Sequence, residues 1–218
     1  MPNFSPEFLM RAFLWYVAFL FSTTCHEASH ALAAKIGGDP TAALGGQVTL
    51  NPLPHIRREP IGMVVAPIIA FLLTRSMIGW ASAPFDPLWE RRHPRRSAWM
   101  ALAGPAANFA LMLLAVAALR IGEGQHWFDV NGDGFLPVTL RAFFFLNLLL
   151  GAFNLLPAAP LDGSTGIMLF MGERTALRYL DWLRGSGFAM VGLLVALLVF
   201  QRCYPYVKNF AIHLFFSW

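Results

Sequence analysis

Long apolar runs dominate the chain. They fall at about 8–36, 61–81, 97–120, 137–157 and 185–202, and polar or turn-rich stretches separate them at 37–60, 82–96, 121–136 and 162–184. A helix needs roughly 20 apolar residues to cross a bilayer. The pattern therefore predicts an all-α polytopic membrane protein with about five or six transmembrane or re-entrant helices. The aromatic end at 203–218 reads as a short span or an interfacial helix. Residues 45–50 alternate in polarity behind Gly45 and Gly46, which predicts a small β-hairpin-like element near 43–52. The run 61–81 stands apart because it contains Pro67 and Arg75. A charge in mid-segment is costly in lipid, and non-helical backbone survives there only inside protein or beside a water cavity. A plain span and a re-entrant pair of half-helices both fit.

Composition agrees with that class. The 218 residues are 57% hydrophobic and 13% charged, with a mean hydropathy of +0.55. A soluble domain carries about 25% charged residues, and a soluble fold of this length has no way to hide so much apolar surface. One membrane-embedded domain over 1–218 is expected, with its core at 8–170 and C-terminal helices at 185–218. The apolar N-terminal run reads as a retained helix, since no small-residue cleavage site follows it. Cys25 and Cys203 are too few for a disulfide framework.

The net charge of +4 matches loops that face the cytoplasm, which carry Lys and Arg. Nucleic-acid binding is not expected, because no basic stretch alternates with aromatics on a polar background. Arg91, Arg92, Arg95 and Arg96 crowd one loop, whereas 121–136 carries Glu123, Asp129 and Asp133 without Lys or Arg. The run 97–120 should then lead outward and 137–157 back inward. Arg174, Arg178 and Arg184 mark a second cytoplasmic loop.

The first apolar run holds the chemistry. Residues His26-Glu27-Ala28-Ser29-His30 form H-E-x-x-H. On a helix, positions i and i+4 share a face, so both imidazoles can bind one Zn²⁺. The glutamate between them can take a proton from a water that the metal activates. Apolar flanks make an ordinary surface helix a poor alternative, because ionisable residues in such a setting are expensive and usually functional.

A catalytic zinc needs a third protein ligand and an open position. Ala33 and Ile36 occupy the positions where a metzincin continuation requires Gly and His. The other candidate is Asp162, which closes an apolar run after Pro157 and Pro160 and precedes Gly163. A broken helix ending in a carboxylate suits a ligand, and a simple helix-stop turn with a solvated Asp remains the alternative.

These residues resemble the site-2 protease family of intramembrane zinc metalloproteases. Residues 26–30 look like its zinc motif, and Asn154 through Gly163 look like its N-x-x-P-x-x-P-L-D-G motif. The resemblance implies Asp162 as third ligand and one Zn²⁺ per chain. Ala103-Gly104-Pro105-Ala106-Ala107-Asn108 is similar to the A-G-P-x-x-N segment of the intervening helix. Residues 38–41 and 49–56 look like a compact prokaryotic branch without a PDZ domain, although Arg57 departs from its pattern. In the family's geometry His30 and Asp162 meet at one metal. The runs 8–36 and 137–157 must then point the same way, with the site toward the cytoplasmic side of a prokaryotic inner or cell membrane. That favours a re-entrant 61–81.

The expected activity is hydrolysis of a peptide bond in or near a transmembrane segment of a membrane-protein substrate, with Glu27 as catalytic base and the lipid bilayer as surroundings. Asn108 and Asn154 are amides in apolar helices, suited to a substrate backbone or an oxyanion, or else to helix–helix adhesion. Residues 45–50 offer an edge for strand addition by substrate. His55 is a weaker candidate for a supporting or gating role. Two rivals remain: a membrane zinc hydrolase of another substrate class, and a non-catalytic zinc-binding transporter or scaffold.

Overall fold

The computed structural model describes residues 5–74, 77–185, 187 and 189–216. All regular elements among them are helical. Helix α1 covers Pro6–Gly37, α2 Thr41–Leu44 and α3 Pro52–Arg58. A π-helical turn, Ile61–Val65, leads into α4, Ala66–Thr74. Then come α5 (Pro87–Arg92), α6 (Pro94–Gly124), α7 (Phe135–Asn154) and α8 (Asp162–Gly166). A 3₁₀ turn at Ile167–Phe170 precedes α9 (Glu173–Gly185) and α10 (Ala189–Phe216).

Four of these, α1, α6, α7 and α10, are long and apolar enough to cross a bilayer, and Ile61–Thr74 is a shorter apolar helix. The chain is a membrane protein. The count of five or six spans or re-entrant helices is thus met by four long helices and one short one. The expected break at 203 is absent, since α10 runs on through Pro205 to Phe216.

Helices α1, α6 and α7 pack on one another pairwise and form the core. Ala18 and Phe19 of α1 meet Ala142 and Leu146 of α7. Near the start of α7, Arg11 donates to Asp133 at 2.7 Å. Contacts of 11 with 133 and of 18 with 142 make α1 and α7 parallel, with α6 antiparallel to both. Helix α10 lies against α7 at the edge, where Ala211 joins Phe144 and Leu148.

The β-hairpin-like element expected near 43–52 is not formed. Residues 45–47 satisfy their backbone locally: Gly45, Gly46 and Gln47 donate back to Thr41, Ala43 and Ala42 at the end of α2. Gly46 has φ +72°, a conformation that costs glycine little. Asn51 then caps α3 by accepting from Leu53 N–H at 3.0 Å. Turn glycines and an Asx cap outcompete an alternation that has no partner strand to pair with.

The segment after α4 folds back. Trp80 N–H donates to Gly62 C=O at 3.1 Å, and Ser82 donates to Glu59 at 2.6 Å. A 14-residue helix is about 21 Å long, short of a bilayer core of about 30 Å. The start and the return of the segment therefore lie side by side, next to Tyr16 and Phe19 of α1, the shape of a re-entrant element. Close approach requires glycine here, because a Cβ on Gly79 collides with Gly62 C=O and Phe19. Arg75 lies outside the described residues.

An ionic latch secures α9 beneath α6. Glu90 is 1% exposed. It accepts from Ser97 at 3.1 Å and from two nitrogens of Arg184 at 3.2 and 2.9 Å. Arg184→Ala leaves that carboxylate buried with one donor. The variant is expected to lose about 2 kcal/mol, read as a lower melting temperature in detergent, whereas Arg174→Ala on exposed surface should leave it unchanged.

The end of α1 is clamped too. Buried Asp39 accepts from Thr41 N–H (2.9 Å), Thr41 hydroxyl (2.5 Å) and Asp86 N–H (2.8 Å). Burial opposes its charge, but these three donors outweigh it and hold its pKa below the ordinary carboxylate range. A depressed carboxylate contributes stability that is present above its unfolded pKa, about 4, and lost as pH falls through the lower folded value. Acidification below about pH 4 should lower the melting temperature, and Asp39→Asn should remove that part of the dependence.

Candidate metal centre

The site lies where one face of α1 meets one face of α6. Ser22, His26 and His30 are spaced by four on α1, and so are Met100, Gly104 and Asn108 on α6. This spacing keeps each set on one helix face. In the antiparallel pair, His30 lies level with Met100 and His26 with Asn108.

Asp162 enters from the side. It is the first residue of α8, which packs on α6. Glycine at 163 lets α8 fold back against the end of α7, since a Cβ there would lie 2.5 Å from Leu156 C=O. Asp162 Oδ2 then stands 3.1 Å from His26 Nε2 and 3.3 Å from His30 Nε2, while the two Nε2 atoms are 2.9 Å apart. Donor atoms around a tetrahedral zinc with bonds of 2.0–2.1 Å sit about 3.3 Å from one another.

Proton bookkeeping identifies what these atoms present. His30 Nδ1 is 2.7 Å from Met100 C=O, which can only accept, so Nδ1 carries a proton and, in the neutral ring, Nε2 carries the lone pair. His26 Nδ1 faces Asn108 Oδ1 at 2.6 Å with the same consequence. Asp162 Oδ2 is buried with no hydrogen-bond donor among the described residues. With both rings neutral, three lone pairs converge, an arrangement that a cation satisfies.

Space for that cation exists on the α6 side. A Cβ placed on Gly104 would fall 2.5 Å from His26 Nε2 and closer still to His30 Nε2. No carbon can sit that close to both nitrogens, so glycine at 104 leaves open a space beside them that any side chain would fill. Two histidines and a carboxylate form a donor set suited to zinc.

Glu27 lies on the same turn of α1, 5% exposed. Among the described residues its carboxylate has no hydrogen-bond or ion-pair partner, and it is free to handle a proton. Asn154 is half-buried at the last turn of α7, and its side chain has no protein partner among the described residues.

Asn108 differs from the expectation that it meets substrate. It is fully buried, and both ends of its amide are taken, by His26 and by Asn147 Oδ1 at 2.8 Å. Its place is behind the imidazole. Asn147 and Ser22, which extend this chain, were missed in the sequence although Asn147 carries the same signal as Asn108, a lone amide in an apolar run. His55 is also buried, but its Nε2 pairs with Thr49 C=O at 3.2 Å, and no hydrogen bond links it to His26, His30 or Asp162 among the described residues.

Known proteins point the same way. The chain is 31% identical over 153 residues to "Putative zinc metalloprotease YwhC" of Bacillus subtilis, covering 67% of this chain and 64% of that protein. It is 31% identical over 181 residues to "Putative zinc metalloprotease Rip2" of Mycobacterium tuberculosis, covering 82% of this chain and 64% of that one. The chain thus spans a little under two thirds of the length of these relatives. No family model matches it, and no solved structure does. The H-E-x-x-H helix, the Asp162 motif and these zinc-metalloprotease homologues together make the chain a member of the site-2 protease family.

Proposed function

We propose that the protein is an intramembrane zinc endopeptidase that cleaves membrane-protein substrates in or near their transmembrane segments. The observation that carries this reading is the convergence of three potential ligand atoms, His26 Nε2, His30 Nε2 and Asp162 Oδ2, beside a buried glutamate, unpartnered among the described residues, within a helix long enough to span.

His26, His30 and Asp162 hold the metal in this reading. Bound there, zinc supplies a Lewis acid that polarises the scissile carbonyl and lowers the pKa of water. Glu27 accepts the proton of the attacking water on its carboxylate and delivers it to the leaving amine nitrogen. Asn154 offers its amide to the substrate backbone or the developing oxyanion. The apolar walls of α1, α6 and α7 keep bulk water from the site and match a lipid-embedded substrate.

Orientation follows from charge. Lys35 lies in the last turn of α1, and Arg96 is bonded to Gly37 C=O at 3.1 Å, with Arg91, Arg92 and Arg95 close to it in the sequence. The rule that cytoplasmic loops are basic puts this end, and the metal nearer to it, on the cytoplasmic side.

The test is a cleavage assay in detergent with a panel of single-span substrates. Wild type is expected to cut at least one of them in a chelator-sensitive way. A substrate cut equally well with the chelator present would overturn the reading.

A further inference from the structure

The geometry points to Asn147 as a positioning residue that fixes the tautomer of His26 through Asn108; the inference rests on the metalloprotease reading and deepens it. Three helices contribute to the chain of bonds. Asn147 Nδ2 donates to Phe143 C=O and to Ser22 Oγ, both at 2.8 Å. Asn147 Oδ1 accepts from Asn108 Nδ2 at 2.8 Å, and Asn108 Oδ1 accepts from His26 Nδ1 at 2.6 Å. All of these side chains are buried, Ser22, Asn108 and Asn147 completely.

The polarity of this chain is set at its far end. An amide side chain can turn over and exchange its donor and acceptor ends. The Phe143 carbonyl can only accept, so the end of Asn147 that meets it must be Nδ2. Its Oδ1 then faces Asn108, which must answer with Nδ2 and present Oδ1 to His26. His26 is left one neutral form, with the proton on Nδ1 and the lone pair on Nε2, facing Asp162 and His30. His30 obtains the same result directly, from the Met100 carbonyl. One histidine therefore takes its orientation from a backbone carbonyl in a single step, and the other takes it through two amides. If Asn108 turned over, it would offer a donor to His26 Nδ1 and place the proton on Nε2, where it blocks the metal.

Among the described residues the Asn108 amide bonds only His26 and Asn147, so without Asn147 its productive sense is no longer held. Removing a group that orients a metal-binding histidine costs about 10- to 100-fold in metal affinity. Asn147→Leu should therefore bind zinc about 10-fold more weakly, measured by chelator competition on purified, metal-stripped protein in detergent. Adding Asn108→Asp to that variant supplies an acceptor that has no wrong end, and it should restore most of the affinity. Loss through packing alone would not be restored by a second buried change. Ser22→Ala, which leaves the Phe143 anchor in place, should remain within about twofold of wild type.

Unchanged affinity in Asn147→Leu, or failure of Asn108→Asp to restore it, overturns the proposal while wild-type zinc binding leaves the metalloprotease reading standing. Wild type that binds no zinc overturns both. If Asn147→Leu does not fold, nitrogen-15 NMR of metal-free wild type at mildly alkaline pH decides: His26 protonated at Nδ1 supports the relay, and protonation at Nε2 overturns it.

Discussion

Gly104→Ala is expected to empty the metal site and abolish cleavage, although it adds a single methyl group. That methyl would sit 2.5 Å from His26 Nε2 and nearer to His30 Nε2, in the volume a cation must occupy. The donors have little room to retreat. His26 is held by Asn108, His30 by the Met100 carbonyl, and the two are one helical turn apart on α1. Either α1 and α6 separate, or the metal is lost. A shift of the helices also disturbs both histidine hydrogen bonds, so each route ends with weaker zinc binding, by at least about 100-fold. Zinc content measured on purified protein checks this, and a Gly104→Ala protein with full zinc content would contradict the placement of the cation. The neighbouring Ala103→Gly, pointing off this face, provides the control for helix destabilisation.

Glu27→Gln is expected to separate chemistry from binding. Glutamine keeps the size of the side chain and removes the base. Proton transfer by a positioned side chain contributes about 10²- to 10⁴-fold, and the loss should fall in that range. Zinc affinity should stay close to wild type, because Glu27 is outside the three converging donors. Cleavage retained in this variant would remove Glu27 from the mechanism. Zinc lost with it would instead assign the glutamate to the ligand set.

Different parts of this picture were legible in the sequence to different degrees, for physical reasons. The spacing of His26 and His30 carries its own geometry, since a helix brings i and i+4 to one face whatever surrounds it. The apolar runs similarly reveal four long helices, because a bilayer demands length and hydropathy of each span separately. Asp162 could be picked out by its motif, but its distance from the histidines depends on how α8 turns back over Gly163. Asn108 was noticeable as an amide in an apolar helix. Its partner was not, because which face of α6 turns toward α1 is decided by packing among three helices. Gly104 shows the same limit: glycine at a helix contact is visible in sequence, whereas the cation-sized space it preserves appears only when both imidazoles are in place. The alternation at 45–50 misled because period-two polarity forms a strand only where another strand can pair with it, and here local caps took the backbone groups first.

The central claim is that His26, His30 and Asp162 hold the zinc on which proteolysis depends. The most direct measurement strips the metal from purified protein and titrates zinc back while following both binding and cleavage of a single-span substrate. Cleavage is expected to return in step with zinc binding in wild type, while Glu27→Gln binds the same zinc and stays inactive. Cleavage by the stripped protein, or zinc uptake unaltered when Asp162 is replaced by alanine, would contradict the account.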